Sequence, residues 1–182
     1  LSLMPEDAEV AALQDDVRQM ERMVDEFLAF VRGDAMEGSE ATDAVALIRA
    51  IVEKSGAKVR MAGVTGEPAP VVMRPQAVTR AVENLVSNAV RHAGQVTVAL
   101  EFRDGSLRIL VEDDGPGIPE ERRDEALRPF TRLETQRDPN RGGGVGLGLS
   151  IASDIALSHG GALRLGRSET LGGLRAELTL AR

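Results

Sequence analysis

The chain has 182 residues, of which 42% are hydrophobic and 28% charged, the balance of a folded domain rather than a disordered one. It holds no cysteine, two histidines and, as its only aromatics, four phenylalanines, which excludes disulfides, thiolate zinc sites, cysteine nucleophiles, His-rich metal centres and base-stacking platforms. The net charge of −7 argues against nucleic acid as a partner, and the longest apolar run, residues 44–48, falls far short of the roughly 20 residues a membrane helix needs.

Pro5-Glu6-Asp7 reads as a helix start with acids in the first turn, and neither glycine nor proline follows until Gly33. Val10, Leu13, Val17, Met20, Val24, Phe27 and Val31 recur at spacings of three and four, a heptad stripe set among charged residues. Such a stripe is expected to be covered, either by a second copy of the chain through residues 10–31 or by the chain's own remainder. Residues 34–42 are small and polar and read as a linker. Asp43 caps an expected helix to Ser55, with Val45, Ile48 and Val52 on one face. Short strands are expected at 58–61 and 70–74, then a helix opened by Pro75 and ending at His92. Strands at 95–102 and 107–111 are joined by a turn at Asp104-Gly105. A helix at 119–127, a mobile polar loop at 135–144, a helix at 145–159 and strands at 162–166 and 174–180 complete the chain. From residue 43 onward this is an α+β pattern.

Four clusters carry chemistry. Asn84 and Asn88 stand four residues apart, on one helical face, with Arg91 following on nearly the same face. Amide oxygens are neutral, hard ligands suited to Mg²⁺, although two asparagines on a helix equally serve local hydrogen bonding. Asp113-Asp114-Gly115-Pro116-Gly117-Ile118 follows an expected strand. It makes a tight turn, and its glycines would also let backbone approach a flat ligand while a carboxylate accepts from an exocyclic amine. Gly144-Val145-Gly146-Leu147-Gly148-Leu149 opens a helix, where exposed N–H groups favour phosphate; the run lacks the Gly-Lys-Ser/Thr of a P-loop and the βαβ frame of a dinucleotide turn. Pro129-Phe130-Thr131-Arg132, with Arg137 beyond, offers an aromatic anchor for the loop on the core and cations for phosphate, or simply a solvated charged loop.

Taken in order, Asn-x-x-x-Asn, Asp-x-Gly-x-Gly, Pro-Phe and Gly-x-Gly-Leu-Gly-Leu resemble the N, G1, F and G2 boxes of bacterial sensor histidine kinases, over about residues 70–182. The resemblance implies a two-layer α/β sandwich of the histidine kinase and gyrase ATPase type, with ATP and Mg²⁺ as cofactors. It implies Asn88 as the Mg²⁺ ligand beside Asn84, Asp113 as the adenine reader, and Gly115 and Gly117 as the walls of the adenine pocket. Gly144, Gly146 and Gly148 would lie beside the phosphates with Val145, Leu147 and Leu149, while Arg91, His92, Ile118 and Phe130 complete the nucleotide contacts. Arg132 and Arg137 match lid positions that contact phosphate. His159-Gly160-Gly161 and Gly172-Gly173 look like the family's later glycine turns.

Residues 1–33 resemble the end of the first helix and the second helix of the dimerisation and phosphotransfer hairpin. The phosphoacceptor histidine and its acidic neighbour are missing, so a fragment of a larger protein is expected, without autophosphorylation of its own. Its partners would be the response regulator's receiver domain and a second copy of the chain. The fragment would be cytoplasmic, and any membrane contact would run through missing upstream segments, at the cytoplasmic face of a bacterial inner membrane. Topoisomerase and chaperone ATPases of this fold resemble one another in carrying Glu four residues before the Mg²⁺-binding Asn, where it activates water. Here Asn84 stands in that place and cannot take a proton, which favours transfer over hydrolysis. A non-catalytic nucleotide-binding regulatory module is the remaining alternative.

Overall fold

The computed structural model describes residues 37–131 and 146–181, together with Val10 and Val17. The chain forms two compact units, Leu1–Met36 and Glu37–Arg182. In the first, Val10 and Val17 are helical and exposed; the other members of the expected stripe lie outside the described residues.

In the second unit, alternation of apolar and polar residues builds a five-stranded sheet. Its strands are β2 (Val59–Thr65), β4 (Val96–Arg103), β5 (Ser106–Asp113), β6 (Ala162–Arg167) and β7 (Leu174–Ala181), in the order β2-β4-β5-β7-β6. β2 pairs parallel with β4 and the remaining pairs are antiparallel, so the sheet is mixed. Val96, Val98, Leu100 and Phe102 of β4 and Leu174, Ala176, Leu178 and Leu180 of β7 are buried on one face, while their neighbours Thr97, Glu101, Arg175 and Glu177 stay partly exposed on the other. The hairpin between β4 and β5 turns at Asp104-Gly105 as expected, Gly105 taking φ 73°.

Three helices of about three to five turns cover the sheet: α1 (Ala44–Lys54), α2 (Pro75–His92) and α4 (Gly148–Ser158); α3 (Arg123–Ala126) is a single turn. Asp43 caps α1, its Oδ1 accepting from the Val45 and Ala46 N–H groups at 3.0 Å each. Ala77, Val78, Ala81, Val82, Leu85, Val86 and Ala89 form the buried stripe of α2. The alanines keep that surface low, so α4 packs close with Ile151, Ala152, Ile155 and Ala156. Each large aliphatic side chain so buried contributes about 1.5–3 kcal/mol. The result is the two-layer α/β sandwich expected from the resemblance. Among the described residues no helix is long and apolar enough to cross a membrane.

Several boundaries differ from the sequence reading. Residues 40–42, expected in a linker, form strand β1 (Glu40–Thr42), antiparallel to β3 (Val71–Met73) in a separate small sheet. The compact unit accordingly begins at Glu37, six residues earlier than expected. Glu37 itself accepts from the N–H groups of Gln76 at 2.6 Å and Ala77 at 2.9 Å, capping an α2 whose N-cap residue Arg74 makes no side-chain cap. β2 continues to Thr65, past a register shift between Met61 and Gly63. The helix expected at 119–127 breaks at Arg122 into a 3₁₀ turn (Glu120–Arg122) and α3. The last helix starts at Gly148 instead of Val145, because Gly146 takes φ 79° and Leu147 serves as N-cap.

Candidate functional site

The alternation of β5 already sorts its acid pair. Leu107, Ile109, Val111 and Asp113 fall on the inward face, so Asp113 ends the strand buried, with 4% of its surface exposed. Its Oδ1 accepts from the N–H groups of Gly115 at 2.9 Å and Leu174 at 3.0 Å, and its carbonyl accepts from Gly173 at 3.0 Å. These bonds lock the carboxylate against the chain entering β7. Gly173 is packed so tightly there that a Cβ would strike Asp113 Oδ1 and stand 2.6 Å from the Gly115 nitrogen. Gly115 in turn abuts the end of α2, where a Cβ would lie 2.9 Å from the His92 carbonyl oxygen. Gly117, at φ 71°, and half-buried Ile118 continue the turn; the Ile118 carbonyl accepts from Arg123 Nε at 3.2 Å.

Asp114 points the other way and is exposed. Its Oδ1 accepts from the Gly94 and Gln95 N–H groups at 2.8 and 2.9 Å. Those donors, Gln95 first and then Gly94, with the nearby Lys58 charge, hold its carboxyl below the ordinary carboxylate range. A depressed carboxylate stabilises the fold at neutral pH and loses that contribution as the pH falls. Unfolding titrations of the chain and of Asp114→Ala should therefore differ most near neutrality and converge below the ordinary value of 3.8. A gap that persists unchanged at acid pH would assign the effect to something other than this charge.

On α2, Asn84 and Asn88 are half-buried and one turn apart, as their spacing predicts; Arg91 is exposed and His92 half-buried at the helix end. Asn84 faces the start of α4, where a Cβ on Gly148 would lie 3.7 Å from the Asn84 Cβ and 3.8 Å from its Oδ1. Among the described residues the Asn84 Nδ2 is buried there without a hydrogen-bond partner. A buried amide donor left unpaired costs about 1–3 kcal/mol, and a phosphate-bearing ligand or water is what would satisfy it. Leu147 is buried and its carbonyl accepts from Ser150 Oγ and the Ile151 N–H, both at 2.9 Å, while half-buried Leu149 follows in the first turn. No side chain caps the α4 N-terminus among the described residues, so its amides are available to an anion.

Gly146 joins the far cluster to this one: a Cβ on it would lie 2.7 Å from the Thr131 carbonyl oxygen and 3.0 Å from the Phe130 carbonyl carbon. Gly146 and the 130–131 backbone are therefore in close contact. Phe130 corrects the sequence reading, for it is 57% exposed instead of anchored in the core. The cause is local: it sits at φ 63° in the turn closed by the Thr131 N–H on the Arg128 carbonyl, which swings the ring outward. Arg132, Arg137, Gly144 and Val145 lie outside the described residues.

Three contributors escaped the sequence reading. Asp114 and Gly173 do structural work beside the expected residues, and the adjacent Gly172-Gly173 pair was the only signal for the latter. His159, expected merely at a glycine turn, uses both ring nitrogens. Nε2 accepts from the Arg74 N–H at 3.1 Å, so Nδ1 carries the proton and donates to the Ile155 carbonyl at 2.7 Å.

Residues 73–182 match the family described as Histidine kinase-, DNA gyrase B-, and HSP90-like ATPase. Over 92% of its length the chain is 35% identical to the sensor histidine kinase GtrS of Pseudomonas aeruginosa, of which it covers 34%. It is likewise 35% identical, over 92% of its length, to the sensor protein RstB of Escherichia coli, of which it covers 40%. The chain thus spans about a third to two fifths of the length of these curated relatives. The ATP-binding domain of PrrB from Mycobacterium tuberculosis superposes with a TM-score of 0.64 at 25% identity, over 80% of this chain and 98% of that one. With the asparagine helix, the Asp113 turn and the Gly146–Gly148 helix start all inside the matched residues, the chain belongs to the histidine kinase, DNA gyrase B and HSP90-like ATPase family, with sensor histidine kinases as its homologues.

Proposed function

We propose that the chain is the ATP-binding catalytic part of a sensor histidine kinase, which passes the γ-phosphoryl of MgATP to a histidine on a helix outside this sequence. From there the phosphoryl would go to the receiver domain of a response regulator. One observation supports this reading: among the described residues the buried Asn84 Nδ2 beside Gly148 is unpaired and the start of α4 is uncapped, so both would offer donors to a phosphate chain. Asp113, buried but with only Oδ1 engaged by the backbone bonds described, would read the adenine amino group with Oδ2.

The donor set fits Mg²⁺ of the kind that shares its shell with phosphate oxygens and water. Among the described residues no group of three or more His, Asp or Glu could cage a metal, whereas Asn88 offers a hard, neutral oxygen. Asn88 would hold the ion, which when bound neutralises charge on the transferring phosphoryl. Arg91, with Arg132 and Arg137 of the lid, would add positive charge, and the α4 amides would orient the phosphates. Transfer breaks the bond from γ-phosphorus to the bridging oxygen, forms a nitrogen–phosphorus bond on the acceptor imidazole, and releases ADP.

Hydrolysis is disfavoured because Asn84 has no lone base to activate water, and Glu83 is exposed on a different side of α2. His159 is a poor acceptor, since both ring nitrogens are engaged and phosphorylation of either would break the hydrogen bond it makes. A homodimer through residues 10–31 would present the acceptor helix. Incubated with γ-labelled ATP, the chain alone should gain no acid-labile phosphate, and adding the histidine-bearing helix should restore labelling. Label on His92 or His159 in the chain alone would overturn the placing of the acceptor outside this sequence, whereas none in the completed protein would favour a regulatory module.

A further inference from the structure

We propose that Asp114 is a positioning residue of the nucleotide site: by clamping residues 93–95 it fixes the separation between the Asp113 turn and the helix that bears Asn84 and Asn88. The inference rests on the nucleotide reading above and adds a residue that touches neither base nor phosphate.

Adjacent residues of a strand point to opposite faces, so the end of β5 sends Asp113 inward and Asp114 outward. Asp114 holds the 93–95 segment three times, through Oδ1 to the Gly94 and Gln95 N–H groups and through its own N–H to the Gln95 carbonyl at 3.2 Å. Lys58 holds the same segment from β2's side: its Nζ donates to the Ala93 carbonyl at 3.4 Å, and its carbonyl accepts from the Val96 N–H at 2.9 Å. α2 runs through Ala93, at φ −128° and ψ 161°, and then Gly94 straight into this clamp. The consequence is the close seat of the His92 carbonyl on Gly115, with no room for a Cβ between them. A slide of α2 along its axis would have to break the Asp114 bonds first. Those same N–H groups favour the charged form of the carboxylate and hold it below the ordinary carboxylate range.

A nucleotide bridges the two parts, with its base at Asp113 and its phosphates near α2 and the start of α4. Joint binding gains from their fixed spacing, while a ligand that uses one part alone does not. In the chain as it stands, with magnesium present, calorimetry on MgATP and ligand-observed NMR on adenosine separate these cases. Asp114→Ala should weaken MgATP about tenfold and leave adenosine unchanged within the error of the titration. Asp114→Asn, whose Oδ1 still accepts from both N–H groups, should restore the parent affinity for MgATP. Unchanged MgATP affinity in Asp114→Ala, or an equal loss for adenosine, would overturn the assignment. If Asp114→Ala does not fold, Asp114→Gln, which carries the amide one methylene too far, decides by the same pair of titrations. Failure of the unmutated chain to bind MgATP at all would instead sink the nucleotide reading, and this inference with it.

Discussion

Asn88→Ala should abolish most of the magnesium-dependent part of ATP binding. The side chain is half-buried on the face of α2 that also carries Asn84, one turn nearer the Gly115 seat, and among the described residues no group of three or more His, Asp or Glu could hold the ion in its place. Removing a ligand from a shell otherwise made of phosphate and water should cost about 10- to 100-fold in affinity. Without magnesium the variant and the parent should bind ATP alike, because the adenine contacts at Asp113 are untouched. Titrations with and without chelator measure this directly. A loss that is equal in both conditions would mean that Asn88 supports the helix and not the ion.

Gly173→Ala should damage fold and site together. The added Cβ meets the Asp113 carbonyl oxygen at 2.5 Å and the Gly115 nitrogen at 2.6 Å, and both are backbone or backbone-locked atoms that cannot swing aside. Overpacking of this kind costs about 1–3 kcal/mol, and relief by moving the Asp113 carboxylate would weaken ATP about tenfold or more. Gly166→Ala is the matched control, for its Cβ meets nothing within 4 Å. Urea midpoints and ATP titrations on the two variants should differ sharply. A Gly173→Ala protein as stable as the parent, with full affinity, would contradict the seat described for this turn.

The parts of the fold that were legible are those fixed by local rules. α2 was placed at its observed ends because proline suits the first helical turn and the apolar stripe runs out at Ala89. β4, β5 and β7 follow from alternation, and the inward phase of Leu107, Ile109 and Val111 carries over to Asp113. β1 was missed because Glu-Ala-Thr has no strand signal of its own; it is a strand only by pairing with residues 71–73. Glu37 caps a helix about 40 residues away, and no spacing rule reaches that far. The role of Asp114 depends on where the chain returns after α2, and the tie from Arg74 to His159 joins residues 85 apart. The order of the four boxes told which residues belong to the site. It did not tell that Phe130 turns outward, which follows from its positive φ in the 128–131 turn, or that Gly173 completes the Asp113 turn, which follows from packing.

The most direct measurement is a calorimetric titration of the unmutated chain with MgATP and, in parallel, with MgGTP. A buried Asp113 with its Oδ1 taken by the Gly115 and Leu174 amides leaves an acceptor for an amino group, which adenine offers at its six position and guanine replaces with a second acceptor. An opposed pair of acceptors costs about 1–3 kcal/mol or more, so MgATP should bind at least about tenfold more tightly than MgGTP. Equal affinity for the two nucleotides, or heat from neither, would contradict the assignment of this site to adenine.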